Sequence, residues 1–295
     1  MAEVATSATS SATPDQLLVV VDPAARQVDG ESVRIAKDVL RAGATHTKVC
    51  LPEGPEEFAR VLGRRGSRRP VVVGDDRALL RTVALLHRHR ELAGCALSLV
   101  PVGPEQELSR ALGVPSGAVA AARAVLDGSE RRLDLLVDDS DGVVLGAVGI
   151  PPLGPADPGG TGAEDPREGK HAVRPWLRTC QSFVRTLAAS RGARPGPVNG
   201  GGPARLRVEV DGVTLVDLDQ PVEAVSLVPG APGVAEVEVR PVSVGAEASP
   251  LLAAGRSVTV SGAHFRYRAD AVVSGPVGTR TWHVREGAWA LTLPG

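Results

Sequence analysis

Glycine-containing turns follow two predicted strands in the first third of the chain, and both carry side chains that could do chemistry. The strand that ends at Val73 leads into Gly74, Asp75 and Asp76, and the next apolar run leads into Gly103. Each turn opens a helix, so free backbone N–H groups are expected at the strand ends, where phosphate can bind. The two aspartates are good helix caps, but at the same positions their charges would repel a polyphosphate.

Strands and helices must alternate to hold such turns at one edge of a sheet. Four apolar runs have the length and composition of buried strands: residues 17–21, 47–51, 71–73 and 96–100. Because helical spacing fills the intervals, a parallel, doubly wound α/β domain is predicted up to about residue 126. From Leu206 to Leu293 short alternating segments dominate, which predicts an antiparallel β-sandwich and no further strand in the parallel sheet.

The predicted organisation is a short tail followed by two domains. Residues 1–15 are predicted to be a disordered tail, 16–132 an α/β nucleotide-binding-like domain and 133–295 a β-sandwich domain. Within the second domain, a stretch rich in Gly and Pro at 151–171 predicts a mobile loop. Helical apolar spacing at 173–189 predicts one amphipathic helix.

Composition and charge exclude several classes of protein. The formal net charge of the 295 residues is −1, so no global field would recruit nucleic acid. Three cysteines, Cys50, Cys95 and Cys180, show no CxxC spacing, which argues against a zinc site or a disulfide framework. The N-terminus lacks the features of a signal peptide, and no apolar run approaches the roughly 20 residues of a transmembrane helix. A cytoplasmic protein is expected, with peripheral association at a membrane as an open alternative.

The order of elements and turns resembles the diacylglycerol kinase catalytic domain family, which includes bacterial lipid kinases and sphingosine kinases. The first nucleotide signature of that family is Gly-Gly-Asp-Gly-Thr after a strand, where residues 73–77 read Val-Gly-Asp-Asp-Arg. The second is Pro-Leu-Gly-Thr-Gly-Asn-Asp, where residues 101–107 read Pro-Val-Gly-Pro-Glu-Gln-Glu. The resemblance covers about residues 16–295 in element order, whereas most signature glycines and the threonine have been replaced.

The resemblance implies a Rossmann-like first domain, a β-sandwich second domain, and phosphorylation of a lipid hydroxyl group with ATP and Mg²⁺. It implies that the nucleotide lies against turns containing Asp22, Gly74, Asp75, Asp76 and Gly103, with Asp75 as a metal ligand. Asp22 stands where the family has asparagine. The pocket would have an acidic rim formed by Asp22, Asp75, Asp76, Glu105 and Glu107. A lipid or nucleotide is expected in a cleft between the domains, and a protein partner or a homodimer is also compatible with the resemblance.

The part of the resembled site that accepts the substrate proton has changed most. The family carries Asp-Asp-Gly-x-Leu-Asp at the start of a sandwich strand, and these aspartates serve catalysis and metal binding. Residues 231–236 read Ala-Pro-Gly-Val-Ala-Glu, so Glu236 is the remaining carboxylate and the candidate catalytic residue. Near the C-terminus, the resemblance matches the family's Asp-Gly-Glu turn with Ser274-Gly275-Pro276.

Three hypotheses remain open from the sequence. The first is a pseudokinase of the lipid-kinase family that acts by binding a nucleotide, a lipid or a protein, with weak or absent binding of ATP and Mg²⁺. The second is an active, divergent kinase that uses Asp75, Asp76 and Glu236 as metal ligands or base. The third is a structural interaction module whose sandwich domain docks a partner.

Overall fold

The protein is a mixed α/β structure with one large, strand-rich sheet. The computed structural model describes residues 16–152, 203–242 and 249–295. Within these ranges the helices belong to the first half of the chain, and strands occur in both halves. Buried apolar side chains form three clusters, one on each face of the parallel strands and one inside the second half.

The first half alternates strands with helices, as its sequence predicts. Its elements are β1 (Gln16–Val21), α1 (Pro23–Val28), α2 (Gly30–Gly43), β2 (His46–Cys50), α3 (Pro55–Gly63), β3 (Arg69–Gly74), α4 (Asp76–Arg88), β4 (Ala96–Pro101), α5 (Glu107–Ala111), α6 (Ala118–Asp127) and β5 (Ser129–Asp138). The first four strands pair in parallel in the order β2-β1-β3-β4.

The strands of this parallel group are apolar throughout because helices cover both faces. Val71 and Val73 of β3 pack with α2 and α6, whereas Val72 points to the other face and packs with α3 and α4. Side-chain caps begin three of the helices: Asp22 after β1 caps α1, Asp29 between α1 and α2 caps α2, and Asp75 after β3 caps α4.

The second half consists of short segments with alternating burial, which form strands as predicted. They are β6 (Val143–Val144), β7 (Val148–Ile150), β8 (Ala204–Val210), β9 (Val213–Val216), β10 (Pro221–Pro229), β11 (Ala235–Pro241), β12 (Leu251–Gly255), β13 (Ser257–Ala269) and β14 (Val272–Leu293). Pairings among these strands are antiparallel, and β13 and β14 form the longest hairpin among the described residues.

The expectation that no strand after Leu206 extends the parallel sheet is wrong. The end of β14 pairs in parallel with β4, with Leu291 opposite Leu97, and the same strand also pairs antiparallel with β5 and β13. Trp289 and Leu291 are fully buried in a core cluster of the first half. The burial of these two apolar side chains explains why the end of β14 packs beside β4. The expected domain boundary at residue 133 falls inside β5.

Some predictions fall on residues outside the described ranges. These are the disordered tail at 1–15, nearly all of the loop at 151–171, and the helix at 173–189. Within the described ranges, every helix is too short or too polar to cross a membrane.

Candidate ligand site at the carboxyl edge of the parallel strands

The turns after β1, β3 and β4 meet at one edge of the parallel strands. The N–H of Asp22 donates to the carbonyl of Val73 at 2.9 Å, and the N–H of Val102 donates to the carbonyl of Gly74 at 3.0 Å. Open α/β sheets bind ligands at this edge, where the strand order reverses. The edge carries all five residues that the resemblance assigned to the nucleotide: Asp22, Gly74, Asp75, Asp76 and Gly103.

The carboxylate of Asp22 is buried at this edge and has partners on both oxygens. One oxygen accepts from the N–H of Ala24 at 2.9 Å and so caps α1, and the other accepts from Nη1 of Arg81 at 2.7 Å. The Arg81 guanidinium also lies 5.6 Å from the ring centroid of Phe58. A carboxylate that is removed from water needs such partners, since its desolvation would otherwise be uncompensated.

Asp76 caps a second helix rather than lining an open pocket. Its side chain is buried, and its two oxygens accept from the N–H groups of Leu108 at 2.8 Å and Ser109 at 2.9 Å, at the start of α5. Burial raises the pKa of Asp76, and these two N–H groups oppose the rise. The expectation that Asp76 contributes to an exposed acidic rim is wrong, because its carboxylate faces α5 instead of solvent.

Asp75 is half-buried and also serves as a helix cap. Its carboxylate accepts from the N–H of Ala78 at 3.2 Å. The neighbouring Arg77, which is exposed, pairs with the partly exposed Glu105. Within the described ranges, no group of three or more His, Cys, Asp or Glu side chains is placed to hold a metal ion.

Gly74 and Gly103 allow the turns to pack against one another. A Cβ atom on Gly74 would lie 2.7 Å from Cβ of Ala78 and 3.0 Å from Cβ of Asp22. A Cβ atom on Gly103, whose φ is +126°, would lie 3.1 Å from Cβ of Asp75. At both positions a side chain would collide with neighbouring protein atoms, so glycine is needed for the packing of the turns.

Glu236 lies on a strand of the second half of the chain. It is an exposed residue of β11, and the strands β10, β7, β13 and β14 separate β11 from β4 in the sheet order. In the turn that precedes it, the N–H of Gly233 donates to Asp134 at 2.6 Å, and Asp134 also accepts from the N–H of Gly287 at 2.7 Å. The stretch at 231–236 is thus held against β5 and β14.

The turn near the C-terminus differs from the one that the resemblance indicated. The β13–β14 hairpin turns at Asp270 and Ala271, and Ser274 pairs with Tyr267 inside the hairpin. Ser274-Gly275-Pro276, which stand where the family has its Asp-Gly-Glu turn, lie within β14, at a register shift between Phe265 and Tyr267 of β13. Asp270 has a φ of +49°, a backbone conformation that aspartate tolerates better than most residues.

Asp270 is a carboxylate that sequence reasoning missed. It accepts three backbone hydrogen bonds, from the N–H groups of Leu145 at 2.8 Å, Gly146 at 2.7 Å and Ala147 at 2.9 Å. Burial raises the pKa of Asp270, and the nearby charge of Asp76 adds to the rise. A turn aspartate between two alternating segments was the available signal, but nothing local indicated which loop it would bind.

A small cavity lies beside these turns, at the carboxyl end of β4. Its volume is about 310 Å³, at the lower end of the range for small-molecule sites. Asp29, Val102, Gly103, Gly117 and Ala118 are among the residues that line it. The cavity borders the start of α6, where the cap residue Gly117 offers no side-chain hydrogen bond.

Comparison with solved structures identifies the architecture. One crystal structure, described as a diacylglycerol kinase from Bacillus anthracis str. Sterne, aligns with a TM-score of 0.63 at 13% identity, over 95% of this chain and 97% of that chain. Two further structures, which carry a provisional form of the same description, align over the same shares with TM-scores of 0.67 and 0.66 at 13% and 14% identity. The chain has the diacylglycerol kinase fold. No protein-family model matches the sequence, and no curated protein matches it.

The residues at this edge of the diacylglycerol kinase fold do not fit a magnesium–triphosphate group. Four helix N–H groups at the turns after β1, β3 and β4 already bond to carboxylates of the chain itself: those of Ala24, Ala78, Leu108 and Ser109. The carboxylate of Asp75, which has no ion-pair partner among the described contacts, would also oppose a phosphate, since two like charges ~4 Å apart repel by ~4 kcal/mol at an effective dielectric constant near 20. No catalytic step through ATP or Mg²⁺ follows from this geometry.

Proposed function

We propose that this protein is a pseudokinase, a non-catalytic protein with the diacylglycerol kinase fold that works by binding a ligand. The observation that carries the proposal is the position of the Asp76 carboxylate. It bonds to the N–H groups of Leu108 and Ser109, at a helix start that borders the ligand edge of the sheet. A helix start of this kind is the usual place for a bound phosphate.

An anion that is part of the chain has a large advantage over a free anion. Because Asp76 is tethered next to α5, its effective concentration at the helix start far exceeds that of a dissolved phosphate. Asp22 and Asp75 occupy the starts of α1 and α4 in the same way. We infer that the chain keeps the anion sites of the fold and fills them with its own carboxylates.

The position of Glu236 supports the same proposal. A base that activates a lipid hydroxyl must lie within hydrogen-bonding reach of the group that receives the phosphate. Glu236 lies on β11, whereas the strand-end turns lie at β1, β3 and β4. The divergent-kinase hypothesis therefore gains no support from the placement of its candidate base.

We propose the cavity beside β4 as the place where a nucleotide or a lipid headgroup binds.

The proposal includes two domains, a Rossmann-like one at 16–132 and a β-sandwich at 133–295, with the end of β14 returning to the first. ATP is expected to bind weakly or not at all, and better with Mg²⁺ than without it, because the metal cancels part of the repulsion from Asp75. The cytoplasmic location and the association with a membrane surface remain predictions from the sequence.

A phosphorylation assay tests the proposed function. The purified chain is incubated with radiolabelled ATP, Mg²⁺ and diacylglycerol in mixed vesicles, and no lipid phosphate above background is expected. Robust turnover that is abolished by Glu236→Gln would overturn the proposal and establish the divergent kinase. Calorimetric titration with ATP, with and without Mg²⁺, then measures the remaining affinity of the site.

A further inference from the structure

The short loop between β6 and β7 passes from one hydrophobic core to another. Val144 and Val148, at its two ends, are buried in the cluster of the second half. Leu145 is 1% exposed and belongs to a cluster of the first half, against which the partly buried Leu108 of α5 also packs. Because cores are close-packed, a loop whose side chains enter both of them ties the movements of the two halves together.

The carboxylate of Asp270, in the turn between β13 and β14, fixes the backbone of this loop. Its Oδ2 accepts from the N–H of Leu145 at 2.8 Å, and its Oδ1 accepts from the N–H groups of Gly146 at 2.7 Å and Ala147 at 2.9 Å. The N–H of Asp270 donates in turn to the carbonyl of Ala147 at 2.8 Å. Separation of the turn from the loop would leave the charge and three N–H groups without these partners, so the two segments move as one unit.

Helix α5 packs against the other side of the same loop. A Cβ atom on Gly146 would lie 2.9 Å from Oδ1 of Asp270 and 3.0 Å from Cδ1 of Leu108, so the loop passes closely between these two side chains. The backbone N–H of Leu108 donates to the carboxylate of Asp76 at 2.8 Å, at the ligand edge of the sheet. A chain of direct contacts therefore leads from Asp76 through Leu108 and Gly146 to Asp270.

We propose that this chain of contacts is a conformational latch, which couples the ligand edge of the sheet to the β13–β14 hairpin. Asp76 holds α5 so that Leu108 lies against Gly146, and Asp270 holds the loop from the opposite side. Any event at the edge that moves Asp76 away from α5 should therefore loosen the loop and the hairpin. The coupling is reciprocal, because a change that frees the loop from Asp270 must weaken the hold of Asp76 on α5 by the same free energy.

Hydrogen exchange of the full chain under native conditions tests the latch from the hairpin side. Asp270→Asn keeps the size of the side chain and tolerates the φ of +49°, but its amide nitrogen cannot accept a hydrogen bond. The amides of residues 145–147 should then exchange about 10-fold faster or more. The amides of Leu108 and Ser109 should exchange about 3-fold faster or more, because the loop no longer supports Leu108.

Asp211→Asn is the matched control, because Asp211 makes the same kind of contact within the second half alone. It also has a φ of +49° in a hairpin turn, and its carboxylate accepts from the N–H groups of Arg256 at 2.9 Å and Ser257 at 2.8 Å. Its own N–H donates to the carbonyl of Ser257 at 2.9 Å. The control should accelerate exchange at Arg256 and Ser257 and leave the rates of Leu108 and Ser109 unchanged.

Leu108→Ala interrupts the latch while it keeps both carboxylates. In this background, Asp270→Asn should no longer change the exchange rate of Ser109. Should the Asp270 variant not fold, Gly146→Ala makes the test from the middle of the latch and should accelerate exchange in the loop and in α5. Its control is Gly149→Ala, because no atom lies within 4 Å of the added Cβ atom.

Two results would overturn the proposal. One is an α5 whose amides keep their wild-type exchange rates when Asp270→Asn or Gly146→Ala opens the loop. The other is an acceleration at Leu108 and Ser109 that Asp211→Asn produces equally, since the effect would then be a general loss of stability. The phosphorylation assay and the ATP titration measure turnover and ligand affinity instead of these rates, so the latch and the proposed function fail independently.

Discussion

The carboxylate of Asp22 and the guanidinium of Arg81 form an ion pair with an oxygen-to-nitrogen distance of 2.7 Å, at the point where the parallel strand order reverses. Only 6% of the Asp22 side chain is exposed, compared with 35% of the Arg81 side chain. The pair links the end of β1 to the second turn of α4, and it places a neutralising cation inside the acidic edge.

Replacement of Arg81 by alanine should destabilise the protein. The variant leaves a buried carboxylate with one partner fewer, so the free energy of unfolding should fall by about 1–3 kcal/mol in a urea titration. Arg34→Ala is the matched control, because Arg34 forms its ion pairs with Glu31 and Asp38 on the surface and should cost less than about 0.5 kcal/mol. Equal losses in the two variants would show that the Asp22–Arg81 pair contributes little. A second change, Asp22→Asn, should recover part of the loss in the Arg81→Ala protein.

Replacement of Asp76 by alanine should loosen α5 specifically. Because Asp76 satisfies two N–H groups of α5, the loss should be about 2–3 kcal/mol of unfolding free energy. Asp75→Ala removes a single cap bond and should cost about 1 kcal/mol. Hydrogen exchange gives the sharper measurement, since the amides of Leu108 and Ser109 should exchange faster only in the Asp76 variant. Unchanged exchange at these two amides would contradict the assignment of Asp76 as the cap of α5.

Substitution of Gly74 by alanine should strain the edge even though the change is a single methyl group. The new Cβ atom would lie 2.7 Å from Cβ of Ala78, so the turn or the helix must shift, at a cost of about 1–3 kcal/mol. Gly63→Ala at the end of α3 is the control, because no atom lies within 4 Å of its added Cβ atom. That control should be neutral or slightly stabilising. Chemical denaturation of both variants distinguishes packing strain from a general intolerance of alanine.

Stability should depend on pH through Asp76 and Asp270. Burial raises the pKa of both carboxyl groups, so the folded protein holds these protons more tightly than the unfolded chain. Below the pKa of the unfolded chain, about 4, the two carboxyl groups make their full stabilising contribution to the free energy of unfolding. This contribution is lost as the pH rises through the pKa of the folded protein. The wild type should therefore lose stability relative to an Asp76→Asn/Asp270→Asn variant as the pH rises above about 4.

Urea titrations of both proteins at a series of pH values measure this difference. Hydrogen bonds lower the pKa of exposed carboxyl groups such as Asp29 and Asp141. Such groups stabilise the fold above the pKa of the unfolded chain, and this stabilisation disappears as the pH falls through the pKa of the folded protein. Those groups titrate below the window of interest and are common to both proteins. A stability difference that stays constant from pH 4 to 8 would refute the prediction.

The sequence by itself determined most of the secondary structure in the described ranges and the convergence of the strand-end turns at one edge of the sheet. Helices occupy the intervals between the four apolar runs predicted as strands, and each of those four strands is present within two residues of its predicted bounds. These features depend on periodicity, capping and turn residues, which are local properties of the chain. The convergence of Gly74 and Gly103 likewise follows from parallel strands that all end at one edge.

The tertiary structure alone decided which partner each carboxylate takes and where the last strand pairs. Asp75 and Asp76 could be recognised as helix caps, but Arg81 lies 59 positions beyond Asp22, and Leu108 lies 32 beyond Asp76. No periodic pattern encodes contacts of such separation, because they depend on how α4, α5 and the sheet pack in three dimensions. The same limit applies to β14, whose alternating sequence predicts a strand but does not indicate that its end adds to the parallel sheet beside β4.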